Sequence, residues 1–160
     1  MDKTITVDTA DLQVSADCAV TLVTYALGSC ISVMAYDREK KIGGMIHCML
    51  PFSSTSPEKA AVKPAMFADT GLPALFDKMY MLGAAKEDLT IKVAGGGSLY
   101  DDNGLFNIGD RNYNVIKKLL LDSGMIINSQ DVGGNSSRTA KLRLLDGKCT
   151  IQTKGDEVEL

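Results

Sequence analysis

The 160-residue chain has a single histidine, no Cys-x-x-Cys pair and no run of basic residues. One imidazole cannot complete a usual zinc set, and Cys18, Cys30, Cys48 and Cys149 are too dispersed to suggest a metal site. Seventeen Lys and Arg, scattered among twenty Asp and Glu, form no stripe that could neutralise phosphates. Nucleic acid is therefore not an expected partner. The opening residues MDKTITVDTADLQVSADC hold four Asp and no apolar run, so they resemble neither a signal peptide nor a membrane anchor. No segment approaches the ~20 apolar residues of a membrane span. Without an export signal the thiols are expected to be reduced and the protein cytoplasmic. Two chemical signatures are also missing. The run AGGGSL lacks the Lys-Ser/Thr that completes a phosphate loop, and GSCIS around Ser29 lacks the G-x-S-x-G elbow. Neither a cofactor nor a metal is expected.

What is present suits one globular domain over residues 1–160, its ends (1–15 and 155–160) expected to fray. A hydrophobic share of 45% is enough for a proper core. The β-rich runs AVTLVTYA, CISVMAY and IGGMIHCML come first, the last with glycines that suggest a bend or a close backbone approach. PFSSTSPEKAAVKP has the composition of a flexible linker. Apolar residues at helical spacing run from Leu72 to Leu82 and stop at Gly83, with Pro73 predicting a kink or a start near Thr70. LTIKVAGGG reads as a strand ending in a glycine loop whose simplest explanation is close packing. NYNVIKKLLLDSG reads as an amphipathic helix over 112–124, with Val115, Ile116, Leu119 and Leu120 inward. Two β runs joined at Asp146–Gly147 predict a hairpin. Seven or so strands and two substantial helices make a layered α/β fold, largely antiparallel.

Cys30 and His47 lie seventeen residues apart on adjoining β runs. If the exposed turn is Asp-Arg-Glu-Lys, Tyr36 pairs with Lys41 and antiparallel partners sum to 77, which sets Cys30 opposite His47. Directly opposed Cβ atoms are about 4.5–5.5 Å apart. A turn of different but even length leaves the two on one face as diagonal neighbours. An imidazole at that distance can take the thiol proton and activate the sulfur, making Cys30 the most thiolate-rich of the four cysteines. Gly28 permits a sharp backbone that aims main-chain N–H groups, near Ser29 and Cys30, at an oxyanion. A third group should hold the imidazole's tautomer. Cys48 alternates to the opposite face and reads as core.

The blocks LGSC, GGMIHCMLP, FADTGLPAL, AGGGSLY, FNIGDRN and DVGGNSSR, in that order between about Thr24 and Leu145, resemble the chemoreceptor glutamine deamidase family, CheD. The resemblance implies an α-β-β sandwich and a cysteine hydrolase that converts glutamines of methyl-accepting chemotaxis receptors to glutamate. The family's Cys and His fall on Cys30 and His47, and its Thr, six positions before the Cys, falls on Thr24. The family also pairs with a CheC-type phosphatase, so the alternative is a non-catalytic module that docks and tunes that phosphatase. Cys48 departs from the family, where an aromatic residue commonly follows the His. The same analogy sets Arg138 and the DVGG loop near the substrate groove, although a structural turn is the plainer explanation.

Overall fold

The computed structural model describes residues 1–99 and 107–160. Tyr100 and Phe106, which end and begin two of the quoted blocks, lie outside the described residues. Ten strands are seen: β1 (Lys3–Thr6), β2 (Asp11–Ser15), β3 (Val20–Leu27), β4 (Ile31–Asp37), β5 (Ile42–Cys48), β6 (Leu89–Gly95), β7 (Ser129–Val132), β8 (Arg138–Arg143), β9 (Cys149–Thr153) and β10 (Asp156–Glu159). With them are α1 (Pro57–Val62), α2 (Ala68–Met81) and α3 (Ile108–Asp122). One sheet has the order β1-β3-β8-β9-β10 and the other β2-β5-β4-β6-β7. Among the described strands the β1–β3 and β6–β7 pairings are parallel and the other six antiparallel, so the fold is largely antiparallel as expected.

Alternation along β4 and β5 creates the layers. Ile31, Val33, Ala35, Ile42 and Ile46 face the helices and pack with Leu72, Leu75, Met79, Ile116 and Leu120. Met34, Tyr36 and Met45 face the other sheet, against Leu22, Leu142 and Ile151. The middle sheet is therefore apolar on both faces, and each fully buried aliphatic side chain contributes about 1.5–3 kcal/mol. The glycine pair in IGGMIHC marks close approach on both sides. A Cβ on Gly43 would meet the Leu144 side chain at 2.7 Å, and one on Gly44 would meet Met79 Sδ at 2.8 Å.

Several expectations need correcting. Both chain ends carry paired strands: β1 and β2 lie within the first fifteen residues, and β10 pairs antiparallel with β9. The supposed linker folds into short 3-10 turns around α1, because its prolines sit at helix starts where no N–H is needed. Helix α2 begins at Ala68, before Thr70, and runs through Pro73. Buried Phe67 precedes it, and the Ala68 and Asp69 N–H groups donate to the carbonyls of Leu50 and Pro51, which fixes the start. Helix α3 begins four residues before Asn112, while Gly83 and Gly124, both at positive φ, end α2 and α3 as predicted. The hairpin at Asp146–Gly147 is present between β8 and β9.

Candidate active site

Thr24 on β3 and His47 on β5 belong to different sheets and meet across the seam between them. Both are buried. The Thr24 Oγ1–H donates to the Val7 carbonyl at 2.6 Å, and Oγ1 lies 2.8 Å from His47 Nδ1. A hydroxyl has one proton, and Val7 takes it, so Oγ1 can only accept from the ring. Nδ1 therefore carries the proton and Nε2 carries the lone pair. Nε2 is buried and has no hydrogen-bond partner among the described residues. A buried, uncapped basic nitrogen is costly in a finished core, and at a reactive site it is the atom available for proton transfer.

Cys30, half-buried, sits in the loop between β3 and β4. The pairing differs from the predicted register: β4 and β5 partners sum to 79, with Asp37 opposite Ile42 and Ser32, not Cys30, opposite His47. The turn has slid by one residue because Asp37 is buried and held in the ladder. Its carboxylate accepts the N–H groups of Lys40 at 3.0 Å and Ala85 at 2.9 Å, and Lys41 takes the left-handed turn position instead. A shift of two in the sum preserves the faces. Cys30, just before β4, packs against the cluster of Met34, Met45 and Leu22, on the face that alternation along β5 also gives His47. Cys48 faces the helices as core.

The loop is clamped by its carbonyls. Gly28 O accepts from the Gly97 N–H at 2.8 Å, Ser29 O from Asn112 Nδ2 at 3.1 Å, and Cys30 O from the Gly96 N–H at 2.8 Å. In a planar trans peptide the N–H points opposite the C=O, so the Ser29 and Cys30 N–H groups are turned away from these clamps. Among the described residues neither donates to another residue. The glycines of AGGGSL thus serve close packing: a Cβ on Gly95 would sit 2.3 Å from Cys30 O. Gly28 itself has no left-handed φ and could accommodate a Cβ. Ala26, at φ 56°, makes the turn where β3 breaks register with β8.

Burial pushes the Cys30 thiol up, opposed only by its own backbone N–H. Burial pulls the His47 imidazole below its ordinary value, and Asp8 opposes this. Both shifts favour a neutral thiol beside a neutral imidazole. Burial thus works against the expected resting thiolate, and His47 Nε2 makes no hydrogen bond to the thiol. Cys149 is buried against Met34 with its thiol pushed up to about 11, and Cys48 is pushed higher still by burial. Arg138 is buried and donates to Asp131 and to the carbonyls of Gly95 and Gly133, which makes it a brace for the glycine loops. Sequence reasoning missed Ser32 and Asn112. Their signal was a polar residue in an apolar pattern: Asn112 leads the stripe completed by Ile116 and Leu120.

A family model described as CheD chemotactic sensory transduction matches residues 49–153, about two thirds of the chain. The protein named probable chemoreceptor glutamine deamidase CheD 1 of Syntrophus aciditrophicus is 44% identical over 151 residues, 94% of each chain. This chain belongs to the CheD family. The CheD 2 protein of Anaeromyxobacter dehalogenans is 45% identical over 154 residues, 96% of each chain. A CheD of Solibacter usitatus is 41% identical over 156 residues, 98% of this chain and 92% of its own. The family model begins just past His47, whereas the alignments to these CheD relatives extend across the whole candidate site.

Proposed function

We propose that this CheD chain hydrolyses glutamine side-chain amides on methyl-accepting chemotaxis receptors, using Cys30 as nucleophile and His47 as base. The observation that carries the proposal is the bare Nε2 of a tautomer-locked imidazole on the same sheet face as Cys30. The names of the CheD relatives supply the substrate class. As Sγ attacks the amide carbon, its proton passes to Nε2, and the carbonyl oxygen becomes an oxyanion facing the Ser29 and Cys30 N–H groups. The imidazolium returns the proton to the amide nitrogen, the C–N bond breaks, ammonia leaves and a thioester remains. Nε2 then takes a proton from water as the water oxygen attacks the thioester, and the collapsing intermediate expels Sγ, which recovers that proton from Nε2. Glutamate and the free thiol result. Ser29 is assigned no chemical step. The reaction takes place in the cytoplasm, where a CheC-type phosphatase is the partner the family resemblance implies. No described helix is long and apolar enough to cross a membrane.

Purified protein incubated with receptor cytoplasmic fragments should release ammonia, with matching glutamine-to-glutamate conversion in peptide mass spectra. Receptors recovered unchanged would overturn the proposal. Thr24 acts through His47. Thr24→Val should lower turnover by the worth of one neutral hydrogen bond to a reacting group, about 1–3 kcal/mol or roughly 5–150-fold. Thr24→Ser should restore most of it, since the hydroxyl is what Nδ1–H needs. Full turnover in Thr24→Val would remove Thr24 from the site.

A further inference from the structure

We propose that Asn112 is a positioning residue that holds the oxyanion-binding N–H of Cys30 in place, an inference that rests on the deamidase reading above. Asn112 is fully buried on the inner stripe of α3, where a Leu would be the simpler helix residue. Its Nδ2 spends both protons on backbone carbonyls, Ser29 O at 3.1 Å and Met49 O at 3.0 Å. Its Oδ1 is buried and accepts nothing among the described residues. A residue selected for packing alone would not carry that uncompensated oxygen.

The two carbonyls explain the choice. Ser29 C=O and Cys30 N–H are the two ends of one peptide group and point in opposite directions. Fixing the carbonyl toward α3 fixes the N–H on the far side, where the Cys30 N–H lies against its own sulfur. The second bond reaches Met49, two residues past His47, so one amide ties the backbone of the nucleophile to the backbone of the imidazole. The clamps on Gly28 O and Cys30 O come from backbone N–H groups, which leaves Asn112 as the one side chain in the set. Helix α3 also packs directly on the glycine loop. A Cβ on Gly109 would lie 2.4 Å from Gly96 O, so the helix start already rests on the glycine loop.

The test compares Asn112→Ala with wild type in three measurements: deamidation kcat, KM for the receptor fragment, and iodoacetamide alkylation of Cys30. Alkylation at a tetrahedral carbon forms no oxyanion, so it reports loop integrity and thiol access alone. The expected result is a kcat loss on the order of 100-fold, the scale of one misplaced oxyanion donor. KM and the Cys30 alkylation rate should stay within about threefold, since neither depends on transition-state charge. A rise in KM alone, or an altered alkylation rate accompanying the kcat loss, would show general loop disruption and overturn the proposal. If Asn112→Ala does not fold, Asn112→Ser, which keeps one donor, should fold and show an intermediate kcat loss. Failure of both to fold would make the amide a core-building group and end the positioning claim. Cys30→Ala is the control that separates the two levels. Full kcat in Asn112→Ala with Cys30→Ala inactive would overturn the Asn112 role alone. Equal ammonia release by Cys30→Ala and wild type would overturn the deamidase mechanism and the Asn112 role with it.

Discussion

Cys30→Ala is expected to abolish ammonia release from receptor fragments, a loss on the order of 10⁴-fold or more, because the thioester cannot form without Sγ. Thermal unfolding should shift little. Cys30 is only half-buried and lies outside the regular ladder, so removing its sulfur empties little core volume. Ser29→Ala should retain substantial activity, since the Ser29 contribution to the site is its backbone. A live Cys30→Ala beside a dead Ser29→Ala would exchange the nucleophile and discard the thiol mechanism.

His47→Ala is expected to lose deamidation by a comparable factor, on the order of 10³–10⁴-fold, because it removes the proposed base. Its effect on alkylation should be small. With no thiol–imidazole hydrogen bond in the resting protein, Cys30 behaves as a desolvated thiol, and removing the ring should change its iodoacetamide rate by less than about threefold. Exposed Cys18 should label ahead of Cys30, and buried Cys48 and Cys149 last. Peptide mapping after limiting reagent reads the order. A large drop in Cys30 alkylation in His47→Ala would reveal a preformed ion pair and reject the neutral resting state. The pH dependence follows with a definite sign. The base must be unprotonated to act, and burial lowers its pKa. The acid limb of kcat/KM should therefore fall below the ordinary histidine value of about 6.5. The same shift makes His47 a source of acid destabilisation. As pH drops below that ordinary value the unfolded chain takes up a proton that the buried ring refuses, and stability declines until the folded value is passed.

The architecture was readable where local chemistry and tertiary packing agree. Alternation in IGGMIHC and CISVMAY set the faces, Gly83 and Gly124 ended helices as C′ glycines do, and Asp146–Gly147 made its hairpin. What failed depended on partners remote in sequence. Asp37 looks like a turn residue until the Ala85 N–H, 48 positions on, anchors it in the strand and moves the register. The chain ends looked polar and loose, yet β1 and β10 are edge strands that need only backbone partners. Within the site, the face that His47 shares with Met34 was legible because parity survives a two-residue slip. The effect of burial on the thiol and the ring was not, because it depends on the second sheet. Asn112 was visible as an anomaly in its stripe, but its two carbonyl partners lie 83 and 63 residues away.

The Thr24–His47 bond spans two sheets whose strands are interleaved along the chain, and this bears on when the site comes into being during synthesis. Thr24 sits on β3, whose neighbour β8 begins only at Arg138, while the loop beneath Cys30 waits for Gly96, Gly97 and Asn112. A nascent chain that has exposed Cys30 and His47 to solvent has not yet made the strands that bury them. Until the last third of the polypeptide leaves the ribosome, the thiol is an ordinary cysteine without an ordered base or a clamped loop.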